Sequence, residues 1–314
     1  MKTLFCSVAA VLAVILAFAG TARADLSVVA SIPPVHSLVA KVMAGVGTPH
    51  LLLRNGQSPH DYALRPSDAR AVENADLVFL VSHDIENFLA ASHQVEGGGA
   101  KRFVELGEAE GVTHLPVREA VVWKLDRGHA KGAHSHDEHA HGHDGDDPHV
   151  WLSPRNAMAF TAAIATVLAE RDPANGALYR ANAIAARQGL EALSKTIAAR
   201  LDPVKDRPFL VFHDAYQYFE AEFGLMAAGA ISLGTGAPPG AGRLTELREL
   251  VSARGIKCIF REVQFSPRLA EIVAEGTGAR LGLLDPVGSS LDFGPDNYDA
   301  LMLGLAEGFR SCLE

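Results

Sequence analysis

Residues 27–32 read SVVASI, a short apolar run that predicts a buried β-strand and sets the start of the fold. Outward from this run, the pattern predicts a helix over residues 35–44 and a short strand over residues 51–53. A further helix begins at Pro66, and residues 76–82 (DLVFLVS) predict another apolar strand. Strands that alternate with helices in this way indicate an α/β lobe, in which helices cover both faces of a parallel sheet.

The same alternation returns after Pro208 and predicts a second α/β lobe. Its predicted strands cover residues 209–213 (FLVFH), 224–233, 257–262 and 280–285. Its predicted helices cover residues 244–254 and 267–276, and a final helix begins at Asn297.

Two helices are predicted between the lobes, over residues 154–170 and 173–201. The second is long, and its apolar residues recur at three- and four-residue spacings that form one stripe: Leu190, Leu193, Ile197 and Leu201. We therefore predict a first lobe over residues 25–171, a linking helix over residues 172–202 and a second lobe over residues 203–314.

The first 24 residues have the form of an export signal. Lys2 supplies a positive charge, an uncharged apolar run covers residues 8–19, and Ala22-Arg23-Ala24 has the small-x-small pattern of a cleavage site. The run is shorter than the roughly 20 residues that span a bilayer. Cys6 precedes the run, so it is not the lipidated cysteine that follows a lipoprotein signal. We expect cleavage after Ala24 and a soluble mature chain in a periplasm.

Charge and composition exclude one broad class of partner. Removal of Lys2 and Arg23 with the signal would leave 26 basic and 37 acidic side chains, a net charge of −11. Such a surface repels nucleic acid and attracts cations. Aromatic residues make up only 7% of the chain and no basic stripe is present, so we exclude nucleic-acid binding.

The cysteines agree with an oxidising compartment. Removal of Cys6 with the signal leaves Cys258 and Cys312. An even pair in an exported chain indicates one disulfide, the alternative being two free buried thiols.

Three histidines and one aspartate are candidate metal ligands. His60 follows the predicted strand at 51–53, His149 precedes a helix, and His213 ends FLVFH, as Asp285 ends RLGLLD. Ligands in open α/β sheets bind beyond the carboxyl ends of strands, and three imidazoles with one carboxylate suit four-coordinate Zn²⁺. Taken singly, a histidine at a strand end is more often a hydrogen-bonded loop or core residue than a ligand, and an aspartate before a proline, as in Asp285-Pro286, usually serves turn chemistry.

A second group of histidines lies in residues 128–147, GHAKGAHSHDEHAHGHDGDD. This segment is too polar to bury a core of its own, which predicts a loop that is disordered or loosely ordered. Its imidazoles and interleaved acids indicate weak, adaptable metal contact, the alternative being a solvated linker. The six candidate ligands are His129, His134, His136, His139, His141 and His143.

Five segments resemble the zinc-binding proteins of the ZnuA type, which belong to the metal-binding cluster of ABC-importer receptors. They are GQSPHDYALRPSDARAVENADLVF, DPHVWLSPRNA, FHDAYQYFEAEFGL, FREVQFSP and LLDPVG, and they occur in order along almost all of the mature chain. The resemblance implies two α/β lobes bridged by one long, rigid helix, with the metal in the cleft between them. It also implies a loop rich in histidine and acid, which zinc-specific members carry.

The resemblance implies a ligand set as well. His60, His149 and His213 match the three histidine ligands of the family, and Asp285 matches the position of its carboxylate. In some relatives water, or an acidic residue just before the first histidine, takes the fourth place. That preceding residue is Pro59 here, so Asp285 or water remains. Cys258 and Cys312 match the disulfide of zinc-type members.

We therefore expect a monomeric protein, not an enzyme, that captures Zn²⁺ in the periplasm and delivers it to the inner-membrane ABC permease of a zinc importer. One alternative is a manganese or iron receptor of the same fold. Another is a secreted zinc hydrolase, which would need an open coordination position and a general base. No HExxH or G-x-S-x-G motif is present, and Glu220 and Glu262 are interpreted as surface or helix residues.

Overall fold

The structure is a computed structural model that describes residues 26–54, 56–90, 102–118, 122–123, 145–232 and 239–314. The export signal, its cleavage site and the six histidines of the predicted loop lie outside the described residues. None of the helices among the described residues combines the length and the apolar character that a membrane span requires.

The first lobe contains a four-stranded parallel sheet with the strand order β2-β1-β3-β4. Its strands are β1 (Val28–Ala30), β2 (His50–Leu51), β3 (Leu77–Leu80) and β4 (Phe103–Glu105). Two helices cross over between them, α1 (Pro33–Val42) and α2 (Pro66–Glu73). The apolar runs of β1 and β3 are completely buried, as expected for central strands of a parallel sheet.

The second lobe repeats this design with the strand order β6-β5-β7-β8. All of its strand pairs are parallel. The strands are β5 (Phe209–His213), β6 (Ala227–Ser232), β7 (Cys258–Glu262) and β8 (Arg280–Leu284). The helices are α5 (Gln217–Phe223), α6 (Ala241–Ala253), α7 (Arg268–Ala274) and α8 (Asn297–Leu313). The predicted α/β architecture of two lobes is confirmed.

Two antiparallel helices connect the lobes, α3 (Pro154–Arg171) and α4 (Gly176–Leu201). The 26 residues of α4 give it a length of about 39 Å at 1.5 Å per residue. The start predicted at Pro173 differs in detail, because Pro173–Asn175 form a separate 3-10 turn. The predicted apolar stripe of α4 is buried, and one continuous core runs through both lobes. The two lobes therefore share buried contacts.

A disulfide joins Cys258 on β7 to Cys312 on α8, which confirms the predicted pair. It fastens the final helix to the second sheet, and α8 also packs on α1 and α4. A Cβ on Gly282 of β8 would lie 2.5 Å from the ring of Phe260, so only glycine fits beneath this helix without a shift.

Candidate metal centre

The structure brings His60, His149 and His213 together between the two lobes. His60 lies in the loop that follows β2, and His149 immediately precedes the 3-10 turn Val150–Leu152. His213 is the last residue of β5. Each histidine therefore sits at the carboxyl end of a strand or next to a helical turn, where loops from both sheets meet.

The three imidazoles lie close enough to share one metal ion, and two of their three pairs have tetrahedral spacing. The Nε2 atom of His149 is 3.3 Å from Nε2 of His60 and 3.4 Å from Nε2 of His213. One ring nitrogen from each residue lies within 4.8 Å of the others. Two nitrogens bound at 2.0–2.1 Å to a tetrahedral Zn²⁺ are about 3.3–3.4 Å apart. The distances from His149 to His60 and to His213 therefore fit zinc without rearrangement.

Two buried carboxylates set the orientation of two of these rings. Nδ1 of His149 lies 2.7 Å from Oδ1 of Asp147, which also accepts a hydrogen bond from the backbone N–H of His149. Nδ1 of His213 lies 2.7 Å from Oε1 of Glu262. A ring that donates its Nδ1–H to a carboxylate presents a bare lone pair on Nε2. Because Nε2 of His149 and Nε2 of His213 are 3.4 Å apart, two bare lone pairs there would repel, and either a proton or a metal ion between them makes the contact favourable.

Burial and mutual repulsion keep two of the imidazoles neutral. Desolvation, with the charges of the neighbouring histidines, lowers the pKa of His60 to about 3. Desolvation also lowers the pKa of His149 to about 3, with His213 adding to the shift. Neutral imidazole is the form that binds a metal. These two rings are therefore ready to bind at neutral pH.

The pKa values of His213 and Asp147 are raised, in contrast to those of His60 and His149. Burial alone would lower the pKa of His213, but Glu262, Asp214 and Asp147 raise it above the usual value. Burial raises the pKa of Asp147 to about 7, against the hydrogen bond from His149. The protons that a metal must displace near neutral pH are therefore those of His213 and of the Asp147–His149 pair.

We predict that zinc binding releases up to two protons per ion below about pH 7, and not the three that three ordinary imidazoles would release at low pH. Because a bound proton competes with the metal, zinc affinity should fall as the pH falls, by up to tenfold per pH unit for each proton. Calorimetric titrations in buffers of different ionisation enthalpy would count the protons. Release of three, or of none, at pH 6 would contradict this assignment.

The structure does not bring Asp285 into the group of three histidines. Its Oδ1 accepts hydrogen bonds from Nε2 of Gln264 at 2.7 Å and from the backbone N–H of Gly288 at 3.0 Å. Its Oδ2 accepts from the backbone N–H and hydroxyl of Ser290. The carboxylate thus organises the turn after β8, as an aspartate before proline commonly does.

Two functional carboxylates escaped the sequence reasoning. The interpretation of Glu262 as a surface or helix residue is wrong, because it ends β7 and is buried against His213. Glu220 does lie on a helix, α5, but it is buried and pairs with Arg118. Asp147 was grouped with the acids of the histidine-rich loop, but it is buried as the partner of His149. Its position two residues before His149 was the available signal.

The cavity beside the three rings has apolar walls. Trp151, Phe265 and Val287 line it together with Glu262 and Gln264. The His149 ring lies 5.2 Å from the Trp151 ring and the His213 ring 5.6 Å from the Phe265 ring, measured between centroids. Such walls limit access of water and strengthen electrostatic interactions inside the site.

Comparison with known proteins gives a consistent result. The family model for ZnuA, the periplasmic component A of the zinc-uptake complex, matches residues 28–312. The high-affinity zinc uptake system protein ZnuA of Brucella abortus is 42% identical over 305 residues, which cover 91% of each chain. The protein of the same name from Paracoccus denitrificans is 36% identical over 317 residues, which cover 93% of each chain. A crystal structure of ZnuA is similar with a TM-score of 0.75 and 25% identity, over 92% of this chain and 100% of that one.

Proposed function

Because this chain belongs to the ZnuA family of periplasmic zinc-uptake components, we propose that it captures Zn²⁺ through His60, His149 and His213 for delivery to a zinc importer. The observation that supports this proposal most strongly is the convergence of three ring nitrogens within 4.8 Å, with the two distances from His149 at tetrahedral spacing. Nitrogen donors in a four-coordinate arrangement suit Zn²⁺, which has no preference for octahedral geometry.

The donor set also weighs against the alternatives. Manganese prefers more oxygen donors than three imidazoles supply. A hydrolase would need a free carboxylate near the metal to act as a general base. The carboxylates of Glu262 and Asp147 are each engaged by a histidine Nδ1, which makes them poor candidates for that role.

The fourth metal ligand follows from the same geometry. The Asp285 carboxylate accepts six hydrogen bonds from backbone and side-chain donors, and it would have to give up part of this set before it could bind a metal. We therefore favour water as the fourth ligand. A water ligand also leaves one position at which a transport partner can begin to extract the ion.

The finer parts of the proposal concern location and transfer. The mature chain is a periplasmic monomer that begins after Ala24 and passes its zinc to the inner-membrane ABC permease. The six histidines of residues 129–143 add weaker sites, because the composition of this segment predicts no core of its own and ordering it around an ion costs conformational entropy. The three-histidine site is built into folded elements and therefore binds more tightly.

Competition between metals tests this function. Chelator-stripped protein is mixed with equal concentrations of Zn²⁺ and Mn²⁺, and the metal retained after desalting is measured. A variant that lacks residues 129–143 serves as a second sample, because it separates the loop from the cleft. We expect one tightly held zinc per chain in both samples and no competing manganese. Equal retention of the two metals, or loss of the tight zinc with the loop, would overturn the proposal.

A further inference from the structure

A short stretch of chain before the histidine-rich segment connects the two lobes next to the metal centre. The backbone N–H of Val117 donates to the carbonyl of Gly145, and the N–H of Asp147 donates to the carbonyl of Leu115 at 2.8 Å. Pro116 and Asp146 form an antiparallel bridge between these hydrogen bonds. Residues 115–117 therefore run alongside the segment that leads to His149.

Helix α5 of the second lobe forms hydrogen bonds with both of these paired backbone segments. The hydroxyl of Tyr218 donates to the carbonyl of Asp147 at 2.8 Å and accepts from the N–H of Leu115 at 2.9 Å. The amide of Gln217 donates to the carbonyl of Pro116 at 3.0 Å and to Oδ2 of Asp147 at 3.3 Å. Both residues follow His213 closely in sequence, so these contacts join the elements that carry two different histidines.

Arg118 adds a charged contact at the same place. Its guanidinium pairs with the carboxylates of Asp214, which adjoins His213, and Glu220 on α5. It also lies over the ring of Trp123, at 3.6 Å from the centroid. Trp123 in turn is bound to the edge of the second sheet, because its backbone N–H donates to the carbonyl of Ala228 at 2.9 Å.

We propose that Arg118, Gln217 and Tyr218 form an inter-lobe latch that positions His149 against His213, and this proposal rests on the proposed zinc site. The latch ends on Asp147, the residue that holds the Nδ1 atom of His149. Nε2 of His149 and Nε2 of His213 are 3.4 Å apart, and the contacts around Asp147 hold the two rings at this distance before the metal arrives. A preorganised site binds more tightly because less ordering remains to be done on binding.

Tyr218→Phe tests the latch with the removal of a single oxygen. It keeps the ring in place and leaves the carbonyl of Asp147 and the N–H of Leu115 without this partner. Changes in the groups that orient metal ligands weaken metal binding by about 10- to 100-fold, and we expect a loss of roughly tenfold in zinc affinity. Affinity is measured by competition with a chromophoric chelator.

The matched control is Tyr179→Phe. Tyr179 is also buried, and its hydroxyl donates to Oδ2 of Asp172 at 3.0 Å, on the connecting helices rather than at the site. Both variants lose one buried hydroxyl and should lose thermal stability to a similar degree. Only Tyr218→Phe should weaken zinc binding and alter the visible absorption of bound Co²⁺, which reports ligand geometry.

A second latch variant, Gln217→Met, removes the amide donors of a half-buried side chain. It tests the latch independently if Tyr218→Phe does not fold. Unchanged affinity and an unchanged Co²⁺ spectrum in both latch variants would overturn the latch. Equal losses in Tyr179→Phe and Tyr218→Phe would also overturn it, because the effect would then be one of general stability. If the parent protein bound no zinc at the three histidines, the proposed function itself would fail.

Discussion

Replacement of His213 by alanine should weaken tight zinc binding by two orders of magnitude or more. Structural zinc sites with four protein ligands contribute about 10–16 kcal/mol, which is roughly 3 kcal/mol for each ligand. A loss of about 3 kcal/mol is a factor of roughly 150 in the dissociation constant. The change also leaves the carboxylate of Glu262 buried without its imidazole partner, which lowers the stability of the fold. Competition with a chelator of known affinity measures the dissociation constant.

His36→Ala is the matched control for this variant. His36 is buried to the same degree as His213, at 6% and 5% exposure, and its Nε2 interacts with the carbonyl of Pro49. It lies on α1, outside the group of three histidines. We expect lower stability but unchanged zinc affinity. If His213→Ala bound zinc as tightly as His36→Ala, the three-histidine site would not be the tight site.

The fold could be predicted because most strands are uninterrupted apolar runs. Such runs at β1, β3 and β5 carry a strong signal, since central strands of parallel sheets are buried on both faces. Short elements were missed because they contain no such run. β4 has three residues, and α5 has seven, less than two full turns, so neither shows a clear period.

One boundary shows how a single residue can mislead. The strand predicted over residues 224–233 corresponds to β6, which starts at Ala227 and not at Gly224. Gly224 has φ = 71° and ends α5 in the left-handed conformation, which glycine adopts without steric cost. Because α5 was not predicted, its terminating glycine was taken for the beginning of the strand.

Strand order explains the difference between Asp285 and Glu262. Both residues lie at the carboxyl ends of strands, so the sequence alone does not distinguish them. In the sheet, β7 lies between β5 and β8. The register that pairs Leu210 with Ile259 continues to place His213 beside Glu262, one strand away. Asp285 is two strands away, or about 9–10 Å, because neighbouring strands are about 4.8 Å apart.

The second large effect should follow from Glu262→Gln, which we expect to weaken zinc binding by about 10- to 100-fold. Glutamine keeps the size of the side chain, and its amide oxygen can still accept the Nδ1–H of His213. The substitution removes the negative charge of Glu262, which makes the His213 imidazole a stronger ligand and offsets the charge of the metal. Zinc titration of the variant at pH 7.5 measures this loss.

The pH profile distinguishes this role from a general loss of structure. Glu262 is one of the groups that raise the pKa of His213, so the variant should hold His213 in its neutral form to lower pH. Zinc binding should then be weaker at pH 7.5 but should fall less steeply as the pH is lowered, because one fewer proton is displaced.

Glu86→Gln provides the comparison for Glu262→Gln. Glu86 is also completely buried; it lies in the turn beyond β3, and its carboxylate accepts hydrogen bonds from Ser31 and from the backbone N–H groups of Val81 and Ser82. Its replacement should lower stability and leave both the zinc affinity and the pH profile as in the parent. A Glu262→Gln variant with parental pH dependence would show that this carboxylate does not control the proton on His213. The charge on Glu262 would then have to act on the metal directly, and the affinity loss alone would remain to be explained.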